Sequence, residues 1–175
     1  MKKIIFVFAL ILAINSFAQQ TKATKNASGD LIGFTVRADF DQQPYTRWFQ
    51  PKYNNFSLDK STIKKLKKAL KGVTIKAFMG TWCVDSRRET PKFYKLLNLT
   101  GFNLKNLEMI TVNRAKRTPD NLQKGYNVFR VPTFIFYKKG KEIGRFVEFS
   151  RETIEKDFLK ILTGKAYKHS YDHSK

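Results

Sequence analysis

At 175 residues the chain has room for one domain with a sizeable core, and its 42% of hydrophobic residues is ordinary for a globular protein. It contains a single cysteine, which excludes an intramolecular disulfide. The formal net charge of +20 would normally raise nucleic acid as a partner.

The N-terminus has the pattern of a secretory signal peptide. Lys2 and Lys3 form a basic start, residues 4–14 are continuously apolar, and residues 16–18 (Ser-Phe-Ala) form a small-x-small cleavage site. The alternative, a transmembrane anchor, needs roughly 20 apolar residues, and this run is shorter. We therefore predict a signal peptide at residues 1–18 and a periplasmic or secreted protein without a transmembrane anchor.

Secretion changes how the charge and the cysteine are interpreted. It argues against a nucleic-acid partner, and the lysines within residues 64–71 are interleaved with Leu66 and Leu70, as on a solvated helix face. Attraction to anionic membrane surfaces or acidic clients stays open as an alternative. In an oxidising compartment a lone cysteine is either reactive or buried and inert.

The first third of the chain has weak periodicity. Residues 19–30 are rich in small and polar side chains and predict a flexible leader, followed by a domain over residues 31–164 that starts with a strand at 31–38. Residues 39–56 are expected to be irregular. Their rings either close the end of the core or line a rim around the cysteine that receives a client. These rings belong to Tyr45, Trp48, Phe49, Tyr53 and Phe56.

The next elements have clear signals. A helix is predicted over residues 60–71, with Ser57 or Asp59 as its N-cap and Gly72 as its stop. The largely apolar run at 73–79 is typical of a central strand covered on both faces.

A second helix begins at the cysteine, and Pro91 inside it predicts a kink. Residues 107–112 follow as a strand parallel to the first, because a helix connects the two. The rest of the chain predicts a short helix at 119–124 and an antiparallel hairpin of two strands at 133–137 and 142–148. A final helix is predicted from 150 or 151 to 162, and a tail at 165–175. This order predicts an α/β domain whose mixed sheet has helices on both faces.

Cys83 lies where strand 73–79 passes into a helix. Backbone N–H groups at a helix start lack intrahelical partners and carry partial positive charge, so they stabilise a thiolate there. Arg87 and Arg88, one turn further on, act in the same direction, whereas Asp85 opposes them. The alternative is a buried cysteine that serves only as a small hydrophobe.

Three motifs at matching separations resemble the thioredoxin superfamily. They are Trp82-Cys83-x-x-Ser86, Pro91 eight residues after the cysteine, and the stretch from Val131-Pro132-Thr133 to Lys141. The likeness runs from about residue 59 to residue 162. Residues 80–91 are more closely similar to the W-C-x-D-S subgroup of secreted bacterial thioredoxin-like proteins.

The resemblance implies a thioredoxin-like fold and a site made from two segments. Cys83 would be the nucleophile, and Pro132 would be cis and face it. The backbone of Val131 would pair with an extended client segment next to Thr133, and Trp82 would flank the thiol as an apolar platform. Arg87, Arg88 and Asp85 would tune the acidity of the thiol.

The chain also departs from the family pattern. Ser86 stands where thioredoxins carry a resolving cysteine, and Ala77 stands where many carry a buried acid. Ser86 is expected to donate a hydrogen bond to the thiolate, but it cannot attack sulfur. Release of a client must then come from a small thiol, a partner reductase or another cysteine of the client.

Two function classes follow. The first is a single-cysteine thiol-disulfide oxidoreductase or isomerase that acts on client protein disulfides or thiols, and the second is a redox-silent binding module for peptides or unfolded clients. No cofactor is predicted. His169 and His173 near Asp172 could hold a metal only if the tail were helical, and no third ligand is suitably spaced, so no metal site is predicted.

Overall fold

A six-stranded mixed sheet forms the centre of the computed structural model, which describes residues 22–173. The strands are β1 (Thr24–Lys25), β2 (Leu31–Thr35), β3 (Val73–Met79), β4 (Leu107–Thr111), β5 (Thr133–Lys138) and β6 (Lys141–Val147). Their spatial order is β1-β2-β4-β3-β5-β6. The β3–β4 pair is parallel and the other neighbours are antiparallel. The predicted α/β class with a mixed sheet is therefore confirmed.

Four α-helices accompany the sheet in the described part of the chain. They are α1 (Thr46–Asn55), α2 (Lys60–Ala69), α3 (Val84–Thr100) and α4 (Ile154–Leu162), and two short 3-10 helices lie at Arg37–Asp41 and Leu104–Asn106. The predicted strand at 73–79 has the bounds of β3, and α2 begins after Asp59, whose carboxylate accepts from the backbone N–H of Thr62 at 2.9 Å.

The two faces of the sheet are covered differently. On one face, alternate residues of β3 and β5, such as Ile75 and Phe134, pack in a single cluster with buried side chains of all four helices. On the other face Phe78, Ile110 and Ile135 form a smaller cluster. Its cover is the segment between β4 and β5 together with the side chains around the cysteine. Helices were predicted on both faces, but within residues 22–173 the buried apolar side chains of the four α-helices pack on one face.

The segment between β4 and β5 differs from the sequence prediction. The helix expected at 119–124 is absent, and residues 118–126 form a series of turns instead. Thr118 explains this difference, because its hydroxyl accepts from the backbone N–H of Leu122 at 2.9 Å while its own N–H donates to Gln123 at 3.0 Å. Such side-chain to backbone bonds compete with the helical pattern.

Residues 39–56 are also more regular than predicted. They hold the end of a 3-10 helix and then α1, which tolerates Pro51 in its interior. Burial of Phe40, Tyr45 and Phe49 supplies the stabilisation that outweighs the hydrogen bond lost at the proline. These buried rings belong to the main core, which is the first of the two roles expected for the aromatic segment.

The ends of the domain differ from the expected boundaries. Strand β1 lies inside the segment expected to be a leader and pairs with β2 through Thr24 and Lys25. The final helix begins at Ile154, because the Asp157 carboxylate accepts from the backbone N–H of Arg151 at 2.7 Å and holds a turn before it. The predicted signal peptide at 1–18 lies outside the described residues.

Candidate active site around Cys83

Cys83 is the N-cap residue of α3, as the sequence predicts. Strand β3 ends at Met79, and a short turn closed by the Cys83 N–H to Gly80 carbonyl bond of 3.0 Å leads into the helix. The side chain is partly exposed. Its Sγ lies 3.2 Å from the carbonyl oxygen of Val131, to which the thiol donates a hydrogen bond.

The segment facing the thiol is held by the sheet. The Val131–Pro132 peptide bond is cis, as the resemblance implies. The Pro132 carbonyl accepts from the Glu148 N–H at 2.7 Å, and the Thr133 hydroxyl donates to the Arg130 carbonyl at 2.7 Å. Because these bonds tie the loop to the end of β6 and to itself, the carbonyl opposite Cys83 has a fixed position.

Trp82 is locked beside the cysteine. Its indole N–H donates to the Val112 carbonyl at 2.8 Å, and the Arg114 guanidinium lies 5.5 Å from the ring centroid. A Cβ on Gly80 would lie 2.5 Å from two ring atoms of Trp82, so only glycine lets the indole lie against the backbone here. The ring packs in the smaller cluster and forms one wall next to the thiol.

Ser86 has a different partner from the one expected. Its side chain is fully buried, and its hydroxyl oxygen accepts a hydrogen bond from the Gly80 N–H at 3.2 Å. Among the hydrogen bonds of residues 22–173 there is none between Ser86 and Cys83. The serine therefore fixes the turn between β3 and α3, since it satisfies a buried N–H that would otherwise be unpaired.

The charged residues near the thiol are largely engaged with each other. Asp85 and Arg88 form an ion pair of 2.7 Å, and Arg88 also contacts the buried Glu89 at 2.6 Å. The Arg87 Nε donates to the Thr81 carbonyl, and its guanidinium lies 5.9 Å from the Trp48 ring. The Asp85–Arg88 pairing offsets two of the three charges expected to act on the thiol.

A second polar contact steadies the turn and was not found from the sequence. The Thr81 hydroxyl donates to the Asp30 carboxylate at 3.2 Å and accepts from the Leu31 N–H at 3.2 Å, and both polar side chains are buried. Asp30 is about fifty positions away in the chain, and no local pattern links it to the cysteine. The only signal in the sequence was a threonine inside an otherwise apolar and glycine-containing turn.

Glu148 is another residue that the sequence did not single out. It follows β6, and its backbone N–H binds the Pro132 carbonyl. Burial raises the pKa of its carboxyl, and the negative charge of Asp85 acts in the same direction. Arg130, Arg88 and Lys116 oppose this shift. The carboxyl of Glu148 therefore belongs to the electrostatic surroundings of the site.

The histidines of the tail contribute no further ligand cluster. In the part of the chain that the structure covers, no group of three or more His, Cys, Asp or Glu side chains is arranged to hold a metal ion. The ring of His169 accepts from the Tyr171 N–H at 3.2 Å, and burial lowers its pKa.

Within residues 22–173, no helix has both the length and the apolar character that crossing a bilayer requires.

The fold and this site are those of a thioredoxin-like protein. The sequence model of the thioredoxin family matches residues 34–159, and the chain therefore belongs to that family. The match includes both segments of the site, with Cys83 in one and Pro132 in the other.

Curated relatives agree with this assignment. A thioredoxin-like protein R548 of Acanthamoeba polyphaga mimivirus is 28% identical over 89 residues, which are 51% of this chain and 62% of that protein. Thioredoxin H5 of Oryza sativa subsp. japonica is 28% identical over 107 residues, 61% of this chain and 74% of the relative. The chain thus spans somewhat less than two thirds of the viral relative.

Among solved structures, an HIV epitope-scaffold protein superposes with a TM-score of 0.50 at 19% identity, over 69% of this chain and 83% of that one. Fasciola hepatica thioredoxin aligns with a TM-score of 0.38 at 23% identity, over 59% and 89% of the two chains. At 19% identity the likeness to the epitope scaffold shows the fold alone. The family as a whole supports a thioredoxin-like redox function in general terms.

Proposed function

We propose that the protein is a periplasmic or secreted thiol-disulfide oxidoreductase or isomerase with a single active cysteine, close to the W-C-x-D-S subgroup. The observation that carries the proposal is the 3.2 Å contact between the Cys83 thiol and the Val131 carbonyl, which joins the two segments of the site. An extended client segment would use the same backbone for strand-like pairing. A client sulfur bound in this way would lie close to Cys83.

The first step is thiol-disulfide exchange. The Cys83 thiol loses its proton to solvent, and the thiolate attacks one sulfur of a client disulfide. A bond forms between Cys83 and that sulfur, the client S–S bond breaks, and the second client sulfur leaves as a thiolate. One client sulfur is now free, the other is held in a mixed disulfide with Cys83, and there is no net oxidation.

The second step needs a thiol from outside this chain, because Ser86 has no sulfur with which to attack. In the reductive route a first thiol, from a small molecule or a partner reductase, attacks the Cys83 sulfur, so that the client leaves reduced and Cys83 is held in a disulfide with that thiol. A second reductant thiol then attacks the reductant sulfur of this disulfide, and Cys83 leaves as a free thiolate while the two reductant thiols become a disulfide. If another cysteine of the client attacks instead, the client leaves with a rearranged disulfide, which is isomerisation. The full burial of Ser86 and its bond to Gly80 support a structural role in place of a resolving one.

A second candidate function is a redox-silent binding module. It is favoured by the surroundings of the sulfur, because the Val131 carbonyl oxygen, 3.2 Å from Sγ, is a hydrogen-bond acceptor and cannot stabilise a thiolate. No side-chain hydroxyl donates to the sulfur among the described residues. In this alternative the surface formed by Trp82 and the Val131 backbone would hold an extended peptide without forming a covalent bond.

Both candidates are tested with two short synthetic peptides that are joined by one intermolecular disulfide. After mixing with the mature protein, mass spectrometry should detect an adduct of one peptide half with the wild type and none with Cys83→Ser. The variant Ser86→Cys should release that peptide half without added thiol. If the wild type forms no adduct and reacts with iodoacetamide no faster than a free cysteine peptide, while it still binds the reduced peptide, the binding module is the correct function.

A further inference from the structure

The C-terminal segment folds back against the edge of the site. The Ser170 hydroxyl donates to the Phe149 carbonyl at 2.9 Å, and the Tyr171 hydroxyl donates to the Glu148 carboxylate. Residues expected to form a plain tail thus contact the two residues that directly follow β6.

Tyr171 is surrounded by a set of complementary side chains. Its ring centroid lies 5.8 Å from that of Phe129 with perpendicular planes, and 6.1 Å from that of Phe149. The Arg130 guanidinium lies 5.1 Å from the ring centroid. Two edge-to-face contacts, a cation over the ring and an acceptor for the hydroxyl together match a phenol side chain. We call the surface formed by Phe129, Arg130, Glu148 and Phe149 the phenol subsite.

The phenol subsite is continuous with the site around Cys83. Phe129 and Arg130 directly precede the Val131 carbonyl that accepts from the thiol, and the Glu148 N–H binds the Pro132 carbonyl. A client segment paired with Val131 would therefore carry its neighbouring side chains over this surface. The protein's C-terminal tail and such a client would therefore compete for the phenol subsite.

The exposed apolar side chains of the subsite also indicate a surface that binds another protein. Even with the tail in place, Phe129 is 38% exposed and Phe149 is 41% exposed, and Val84 beside Cys83 is 71% exposed. Large apolar side chains that stay accessible and are rimmed by charged groups are typical of protein recognition surfaces. The rim here consists of Arg130 and Glu148.

We propose that the phenol subsite receives a tyrosine side chain next to the reacting disulfide of a client, and that Tyr171 occupies it in the free protein. The proposal rests on the proposed function for its client but not for the subsite itself, which is defined by the Tyr171 contacts. The tail is then an internal competitor, and the apparent affinity for a client is reduced by the fraction of molecules in which the tail is seated.

The test compares two disulfide peptides that differ only in a tyrosine or an alanine beside the reacting cysteine. The rate of mixed-disulfide formation with the tyrosine peptide, divided by the rate with the alanine peptide, should rise about five- to tenfold in Tyr171→Ala. The reason is that the vacated subsite accepts a tyrosine side chain and gains nothing from an alanine. Lys165→Ala, an exposed change in the same tail, serves as the matched control and should leave the ratio unchanged. The reaction with iodoacetamide, which needs no subsite, should be equal in all three proteins.

Two further outcomes separate failure of the subsite from failure of the proposed function. If the peptide ratio is the same in wild type and Tyr171→Ala, the phenol subsite is overturned while disulfide exchange stands. If Cys83 is unreactive, binding of the tyrosine peptide with its cysteine replaced by serine is measured by calorimetry. Tighter binding to Tyr171→Ala that is lost in Tyr171→Ala/Phe129→Ser would support the subsite, and equal binding to all three would overturn it.

Discussion

Alanine at position 80 tests whether the absence of a side chain there positions the indole beside the cysteine. An ideal Cβ on Gly80 would lie 2.5 Å from both Cε2 and Nε1 of Trp82, well inside van der Waals contact. Gly80 is not among the residues with positive φ, so its backbone conformation suits alanine. The three atoms nearest to the added Cβ all belong to the Trp82 ring, and we expect this ring to move.

The magnitude follows from what the ring loses. Displacement breaks the 2.8 Å hydrogen bond from the indole N–H to the Val112 carbonyl, and a buried partner left unpaired costs about 1–3 kcal/mol. Strain from the added methyl group costs roughly 1–3 kcal/mol more. Gly80→Ala should therefore lower the free energy of unfolding by about 2–6 kcal/mol.

The assay is a double-mutant cycle in which urea unfolding gives the free energy of unfolding of the wild type, Gly80→Ala, Trp82→Ala and the double variant. Without the indole, the three closest contacts of the added methyl group are gone, and Gly80→Ala should be neutral or stabilising by about 0.4–1 kcal/mol because it restricts the unfolded chain. The effect of the same substitution thus changes sign between the two backgrounds. An equal loss of stability with and without Trp82 would refute the reasoning, since the cause would then lie in the backbone turn.

Three further predictions concern polar groups. Ser86→Ala should lower the free energy of unfolding by about 1–3 kcal/mol in urea titrations, because it leaves the buried Gly80 N–H unpaired. A stable Ser86→Ala variant would mean that water replaces the hydroxyl. Thr81→Val should also lower the free energy of unfolding by about 1–3 kcal/mol, because the Asp30 carboxylate loses its hydrogen-bond donor. Thermal unfolding measures this loss, and an unchanged melting temperature would mean that the carboxylate is solvated. Hydrogen bonds hold the pKa of Asp59 well below its usual range, so its stabilisation is complete above about pH 4 and lost as the pH falls further. Thermal melts from pH 5 to pH 2 should therefore fall more steeply for wild type than for Asp59→Asn, and identical slopes would contradict this.

Local signals were sufficient wherever an element is specified by its own side chains. The apolar run of β3, the Asp59 cap of α2 and the position of Cys83 at the start of α3 all follow from neighbours in sequence. Hydrophobic periodicity and capping act over one or two turns of chain, so they can be recognised without a fold. The motifs that contain Cys83 and Pro132 also indicate the family from the sequence alone.

Segments whose conformation depends on distant partners were predicted less well. The helix α1 forms despite Pro51 because Tyr45 and Phe49 are buried in the main core, and that burial is a property of the assembled domain. The turns at 118–126 replaced a predicted helix because of side-chain bonds from Thr118 that compete with helical geometry. In both cases the local preference was outweighed by contacts that periodicity does not report.

The site divides in the same way. The sequence by itself determined that a lone cysteine caps a helix near a Val-Pro-Thr segment. Only the tertiary structure decided that Ser86 binds Gly80, that Asp30 binds Thr81, and that Tyr171 lies against Glu148. The Asp30 and Tyr171 contacts join segments far apart in the chain, and even the short-range Ser86 bond depends on how the turn packs against the first turn of α3. A hydrogen bond needs its partners within about 3 Å, and only the folded backbone brings such groups to that distance.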